Sequence, residues 1–316
     1  MLKKILGGLV VLVIAGVGGA YWYANYRAHT IVDERLDAMF TDGGYDVAEY
    51  EDLHVQLNGD IAMTNLHIVQ GPLDYTLVSI TVTNLDYTNE FPRHMDVAVN
   101  GLQLTVDANS PDPQVAAMSS MLTTLGAGQV IPLQVNYSLR YDPDNAHQTD
   151  STMRVAVTDS FTLDVNSITR NLQMQALNGL NNPDLDPAQA QAQWLELLAS
   201  ADIPSLQMAL LDEGFLDAMI ATAAEQNGVA PEDFRTLLVS QVQNFYLFLP
   251  QTAQGLAMSA GAEIAKFLEG GKTLSLSIAP EYGGNIKQLQ EEIMGAVFTG
   301  DYNKVSEVLH LEITAQ

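Results

Sequence analysis

The chain has 316 residues, with 13 Lys and Arg against 38 Asp and Glu, a formal net charge of −25, and no cysteine. That excludes disulfides, thiol catalysis, thiolate metal sites and a lipoprotein acyl anchor, and the acidic excess excludes nucleic acid as a partner. The length suffices for one large domain or two ordinary ones with real cores, and the carboxylates are dispersed singly between apolar residues, as on a solvated acidic surface.

Lys3 and Lys4 precede nineteen residues, Ile5 to Tyr23, without a formal charge. As a helix this stretch would span roughly 28 Å, about the hydrocarbon thickness of a bilayer. The lysines before it and Tyr21, Trp22, Tyr23 and Tyr26 after it agree with a span whose N-terminus is cytoplasmic. A cleaved signal peptide is the competing reading, because Gly18 and Ala20 form a small-residue cleavage pattern. Residues 1–24 are therefore expected to be a transmembrane anchor, 25–182 a β-rich exported domain, and 183–316 a helix-rich part packing on the sheet.

After a short helical spacing over 30–40, the period changes. Leu53, Val55 and Leu57 alternate, Asn58-Gly59 suits a turn, and Ile61 and Met63 resume the alternation, which predicts a hairpin. A repeat follows. Apolar residues fall at Ile61, Met63, Leu66 and Ile68, at Ile80, Val82, Leu85 and Tyr87, and at Val97, Val99, Leu102 and Leu104. Each set steps by three once, at Thr64-Asn65, Thr83-Asn84 and Asn100-Gly101, where a residue with φ > 0 in a β-bulge would return the apolar side chains to one face. At Asn100-Gly101 a tight hairpin is an equally good account. Met153 to Val165 is a looser fourth copy. These units predict strands of one antiparallel sheet.

Between the third and fourth copies, Val115, Met118, Met121, Leu122 and Leu125 fit a helix stopped by Gly126. Val130 to Tyr141 and Thr152 to Val165 flank the polar loop Asp142-Pro143-Asp144-Asn145 as a second hairpin. Beyond Asn181-Asn182-Pro183, Ala, Gln, Leu and Met predominate and helix signals take over. One helix carries Phe215, Met219, Ile220 and Ala223 and ends at Gly228. The next starts at Pro231 and runs to Pro250, and a third ends at Gly270-Gly271. Leu274, Leu276 and Ile278 read as a strand, Ile286 to Phe298 as a helix, Tyr302 to Val308 as a helical turn, and Leu309, Leu311 and Ile313 as a closing strand.

No Gly-x-Ser-x-Gly elbow or His-Glu-x-x-His helix occurs. Gly270-Gly271-Lys272-Thr273 lacks the first glycine of a phosphate loop, Lys266 standing in its place. The six histidines form no helical pair, and although His54 and His67 sit where they could meet across the first hairpin, exposed strand positions explain them better. Asp142, Asp144, Asn145 and Asp150 read as an acidic turn rather than a calcium loop, and Asp212, Glu213 and Asp217 as carboxylates at a helix start. No catalytic residue, metal site or cofactor is expected.

The segments "GDIAMTNLHI", "SITVTNLDY" and "DVAVNGLQL", behind a short basic tail and a single span, resemble bacterial AsmA-like and YdgA-like envelope proteins over about the first 165 residues. The resemblance implies a single-pass inner-membrane protein whose bulk is periplasmic, with a curved sheet that in some members offers an apolar groove for lipid. Two non-enzymatic functions stay open. In one, Ile61, Met63, Ile80, Val82, Val97, Val99 and Leu102 line a groove for lipid or another apolar ligand. In the other, the same faces are a filled core and the chain is an envelope assembly or protein-interaction module. The expected fold class is α+β: a transmembrane helix, then a curved, mostly antiparallel sheet packed by a helical C-terminal part.

Overall fold

The computed structural model describes residues 47–55, 60–70, 73–86, 88–89, 92–105, 130–172, 197, 199–249 and 251–316. The helices expected over 5–23, 30–40 and 115–125 lie outside these residues. The chain divides into two compact units, Met1–Tyr141 with Met153–Thr158, and Asp142–Thr152 with Asp159–Gln316.

In the first unit the strands are β1 (Val47–Glu49), β2 (Asp52–Val55), β3 (Ile61–Gln70), β4 (Leu73–Thr83), β5 (His94–Thr105) and β6 (Val130–Asp142). Their order is β1-β3-β4-β5-β6 with β2 also on β3, and the pairings are antiparallel. The strand β7 (Gln148–Val157) is divided between the two units.

The repeat is readable in the backbone. Asn65 (φ 49°) and Gly101 (φ 71°) take the left-handed conformation inside β3 and β5. The register slips by one between Asn100 and Leu102 on β6, so this pair makes a bulge and β5 runs through it instead of turning. Met63 and Leu66, Leu77 and Ile80, Val82 and Leu85 are accordingly buried three residues apart. Val78 lies across from Gly101, and a Cβ at 101 would stand 2.7 Å from Val78 Cγ2, so both φ and space require glycine there. Asn84 (φ 51°) closes β4, where its Nδ2 donates to Asp96 Oδ2 at 2.6 Å. The second copy of the repeat thus ends a strand rather than bending one. The looser fourth copy is a hairpin: β7 stops at Val157, the turn carries Asp159 at φ 58°, and β8 starts at Phe161.

Beyond the end of β4, buried Asp86 gathers a turn. Its carboxylate accepts from Thr88 N, Thr88 Oγ1, Asn89 Nδ2 and Arg93 N at 2.6–3.0 Å. Burial would raise its pKa, but these donors outweigh burial and hold it far below the ordinary carboxylate value.

The second unit carries β8 (Phe161–Arg170), β9 (Asp202–Asp212), β10 (Thr273–Ile278) and β11 (Glu312–Ala315), hydrogen-bonded in that order and antiparallel. Its helices are α1 (Phe215–Asn227), α2 (Pro231–Asn244), α3 (Gln251–Leu268), α4 (Ile286–Thr299) and α5 (Tyr302–Leu309), with 3-10 turns at Phe245–Phe248 and Glu281–Gly284. Gly228 caps α1 at φ 66° and Pro231 opens α2, as the punctuation predicts. The second helix ends six residues before Pro250, and a 3-10 turn follows it. Phe161 and Phe215 pack with their rings tilted by 59° at 5.3 Å between centroids, and Asp212 Oδ1 accepts from Leu216 N at 2.9 Å, which joins α1 to the end of β9.

The expected fold class is corrected in two respects. The described part of 183–316 carries five helices but is not only helical: beside the two strands expected there, β10 and β11, it supplies β9, which the helix signals conceal and which pairs on both sides, with β8 and β10. Leu, Met and Ala favour helices in isolation, but two strand partners outweigh that preference in Leu206–Leu211. Second, no described helix is long and apolar enough to cross a membrane. The longest, α3 with 18 residues, carries Gln251, Gln254, Ser259, Glu263 and Lys266, so it is amphipathic instead of apolar all round.

Candidate functional site

The seven strand residues proposed as a groove wall are gathered on one face. Ile61 lies opposite Val82, Met63 opposite Ile80, Ile80 opposite Val99, and Val82 opposite Val97. Six of them are buried, at 9% exposure or less, and Leu102 is half-buried. His54 and His67 do not meet. His54 bonds Asp52 at 2.7 Å, whereas His67 stands between Glu49 on β1 (3.2 Å) and Asp74 on β4 (2.9 Å). The hydrogen bond to Glu49 raises the His67 pKa, burial opposes it, and Asp74 adds to the rise. This cluster ties an edge strand to its sheet. In the polar loop, Asp142 Oδ1 accepts from Asp144 N at 3.0 Å, an Asx turn.

A concave surface occurs instead among the helices of the second unit. Leu249, Ala253, Leu256 and Ala257 from α3 and its entry, Ile293 and Val297 from α4, and Tyr302 and Val305 from α5 line a groove of about 410 Å³. Each helix presents residues three or four apart, so one stripe of each faces the groove. The floor is low because Ala253 and Ala257 fill little space where larger residues would close it. Among the described lining residues, the Tyr302 hydroxyl is the single side-chain polar group.

The groove has definite supports. Asn285 Oδ1 accepts from Gln288 N at 3.1 Å and caps α4, while its Nδ2 donates to Asp202 Oδ1 at 2.8 Å on β9. Ile286 N donates to Ala201 O at 3.1 Å, which fixes the start of α4 beside the strand. Gly300 (φ 73°) ends α4, and Lys304 of α5 pairs with Glu292 of α4 across the turn. On the other side, Gly261 brings α3 close to α2, where a Cβ would stand 2.9 Å from Val242 O.

Beside the lining, Phe248 is 84% and Phe298 83% exposed, each next in sequence to a groove residue, and Met294 and Val297 on α4 are also exposed. The sequence held a signal for this surface that motif searching passed over. From Thr236 to Ala262 no side chain is charged, where a chain that is 16% charged would place about four. Leu237, Phe245, Leu247, Phe248 and Met258, all exposed, belong to that stretch.

A family model described as "Uncharacterized protein" matches residues 152–316, a range that contains every groove residue. No curated protein matches the chain. The match says nothing of AsmA-like or YdgA-like proteins, and no described helix is long and apolar enough to cross a membrane, so the membrane and AsmA-like terms of the expected description have no support here.

Proposed function

The chain belongs to the family whose model it matches over more than half its length, and we propose that it is a non-catalytic interaction module whose helical face receives an apolar segment of another protein. The reading is carried by the groove of about 410 Å³ and by two phenylalanines, each next in sequence to a lining residue, that are more than four-fifths exposed. An exposed phenyl ring forgoes most of the roughly 2 kcal/mol that its burial would contribute, and large contiguous apolar patches on soluble proteins mark contact sites. Aromatic anchors beside a small hydrophobic recess are the usual composition of an interface centre. A small-molecule pocket pairs apolar walls with several convergent polar groups, and here the Tyr302 hydroxyl stands alone.

The test uses the fluorescent dye anilinonaphthalene sulfonate, which brightens in apolar recesses. Ala257→Trp, which fills the floor, should lower dye fluorescence while the melting transition stays in place. Unchanged fluorescence with a folded variant would remove the groove as the site.

A further inference from the structure

We infer that the segment received by this groove is an amphipathic helix with a basic polar face. The inference rests on the interaction reading above and specifies its partner. The argument begins with the backbone of the incoming chain. The walls are helices, whose main-chain groups are satisfied internally, and the lining offers one hydroxyl, that of Tyr302. An extended peptide laid there would leave its N–H and C=O groups facing apolar side chains, at a cost of the order of 1–3 kcal/mol for each group. A helix carries its own hydrogen bonds and needs only an apolar stripe. The groove is small and open on one side, so it takes a few side chains from such a stripe and leaves the opposite face in water.

The charge of that opposite face follows from the surroundings. The wall elements α4 and α5 and their connection carry Glu291, Glu292, Asp301 and Glu307 against Lys287 and Lys304, and Lys304 already pairs with Glu292. Glu291, Asp301 and Glu307 are exposed. The whole chain bears −25, so long-range attraction favours cations and opposes a second copy of the chain. The floor itself is uncharged: the groove residues before α4 all fall in the charge-free stretch from Thr236 to Ala262. Glu291 and Glu307 lie on the faces of α4 and α5 turned away from the lining, so apolar contact acts within the groove and charge acts at longer range.

The experiment titrates the full chain with three fluorescein-labelled, 18-residue synthetic helices followed by anisotropy: leucine and lysine with leucine at i, i+3, i+4 and i+7; alanine and lysine with the same charge; and leucine and glutamate. The leucine–lysine helix should bind best, weaken as salt is raised, and lose at least about tenfold in affinity on Val297→Lys and on Ala257→Trp. Both variants must keep the wild-type melting transition, and Val297 is exposed enough for its replacement to leave packing intact. Equal binding of the alanine–lysine helix, tighter binding of the leucine–glutamate helix, or indifference to both substitutions would overturn the inference. The dye experiment separates the two levels: if Ala257→Trp abolishes dye binding while no peptide preference emerges, the groove stands and the basic helix does not.

Discussion

Gly283 and Gly284 offer a paired perturbation of the support beneath α4. Both have positive φ, 68° and 81°. A Cβ at 283 would meet nothing within 4 Å, whereas at 284 it would lie 2.0 Å from Ile203 O and 2.2 Å from Ile203 C. Alanine in the left-handed region costs about 1–2 kcal/mol at either position. At 284 the overlap is with main chain on β9, and no rotamer relieves it. The 3-10 turn must lift away, and with it go the Asn285–Asp202 side-chain bond and the Ile286 N to Ala201 O bond that makes the Asp202–Asn285 bridge. At about 1 kcal/mol for each of these, Gly284→Ala should cost about 3–4 kcal/mol against about 1–2 for Gly283→Ala. Urea unfolding followed by circular dichroism measures the difference. Because α4 supplies Ile293 and Val297 to the groove, Gly284→Ala should also alter dye binding, which Gly283→Ala should not. Two variants that agree within about 0.5 kcal/mol would refute the assigned contact between the 3-10 turn and β9.

Three further outcomes are expected, all in the first unit. Val82 is 3% exposed and its neighbour Thr81 points to the other face of the sheet, so Val82→Asp should cost about 3–5 kcal/mol and Thr81→Asp well under 1 in chemical denaturation; equal costs would mean the opposite register. Burial acts to raise the pKa of Asp96, yet hydrogen bonds from Arg140, Ser138 and Asn84 bring it down to about 2. A depressed carboxylate contributes stability above its unfolded value near 4 that is lost as pH falls toward 2, so Asp96→Asn should be about 2 kcal/mol less stable at pH 7 and match wild type near pH 2; a constant gap would count against this. His67 has the opposite sign. Its pKa is raised, so its contribution is complete below the ordinary histidine value of 6.5 and is lost as pH rises through the folded value. His67→Gln should flatten that loss of melting temperature, and an unchanged slope would place its cause elsewhere.

Much of the strand and helix order was legible because it depends on local signals. Asn65 and Gly101 announce their left-handed backbone by standing where alternation steps by three, Gly101 within a bulge and Asn65 without one, and only a residue tolerant of positive φ keeps Met63 and Leu66, or Val97 and Val99 with Leu102, on one side. Gly228, Pro231 and Gly300 mark helix ends through backbone requirements that hold in any context. Strand β9 was not legible in this way. Leu206, Met208 and Leu210 do alternate, but Pro204 interrupts the start and the residue types favour helix, so the assignment is decided by pairing with β8 and β10, far away in sequence. The groove was missed for a related reason. Its walls are Ala, Leu, Ile and Val at ordinary helical spacing, and periodicity reports a stripe without saying whether that stripe is covered.

Helix α3 shows how the second unit treats its two incomplete surfaces. Its charged second half serves the sheet: Glu263 Oε2 accepts from Ala315 N at 2.9 Å, which satisfies a donor on the terminal strand β11, while Lys266 pairs with Glu263. Those two donors, Lys266 first, lower the Glu263 pKa. The half from Gln251 to Ala262 has no charge and gives Ala253, Leu256 and Ala257 to the groove. A backbone donor at a sheet edge invites unspecific pairing with any chain, and it is covered from within. An apolar recess on a chain of net charge −25 is selective, because repulsion between acidic copies keeps it from closing on itself while a cationic partner is drawn in. One helix thus protects the edge where recognition would be indiscriminate and leaves open the surface where charge and shape together define what binds.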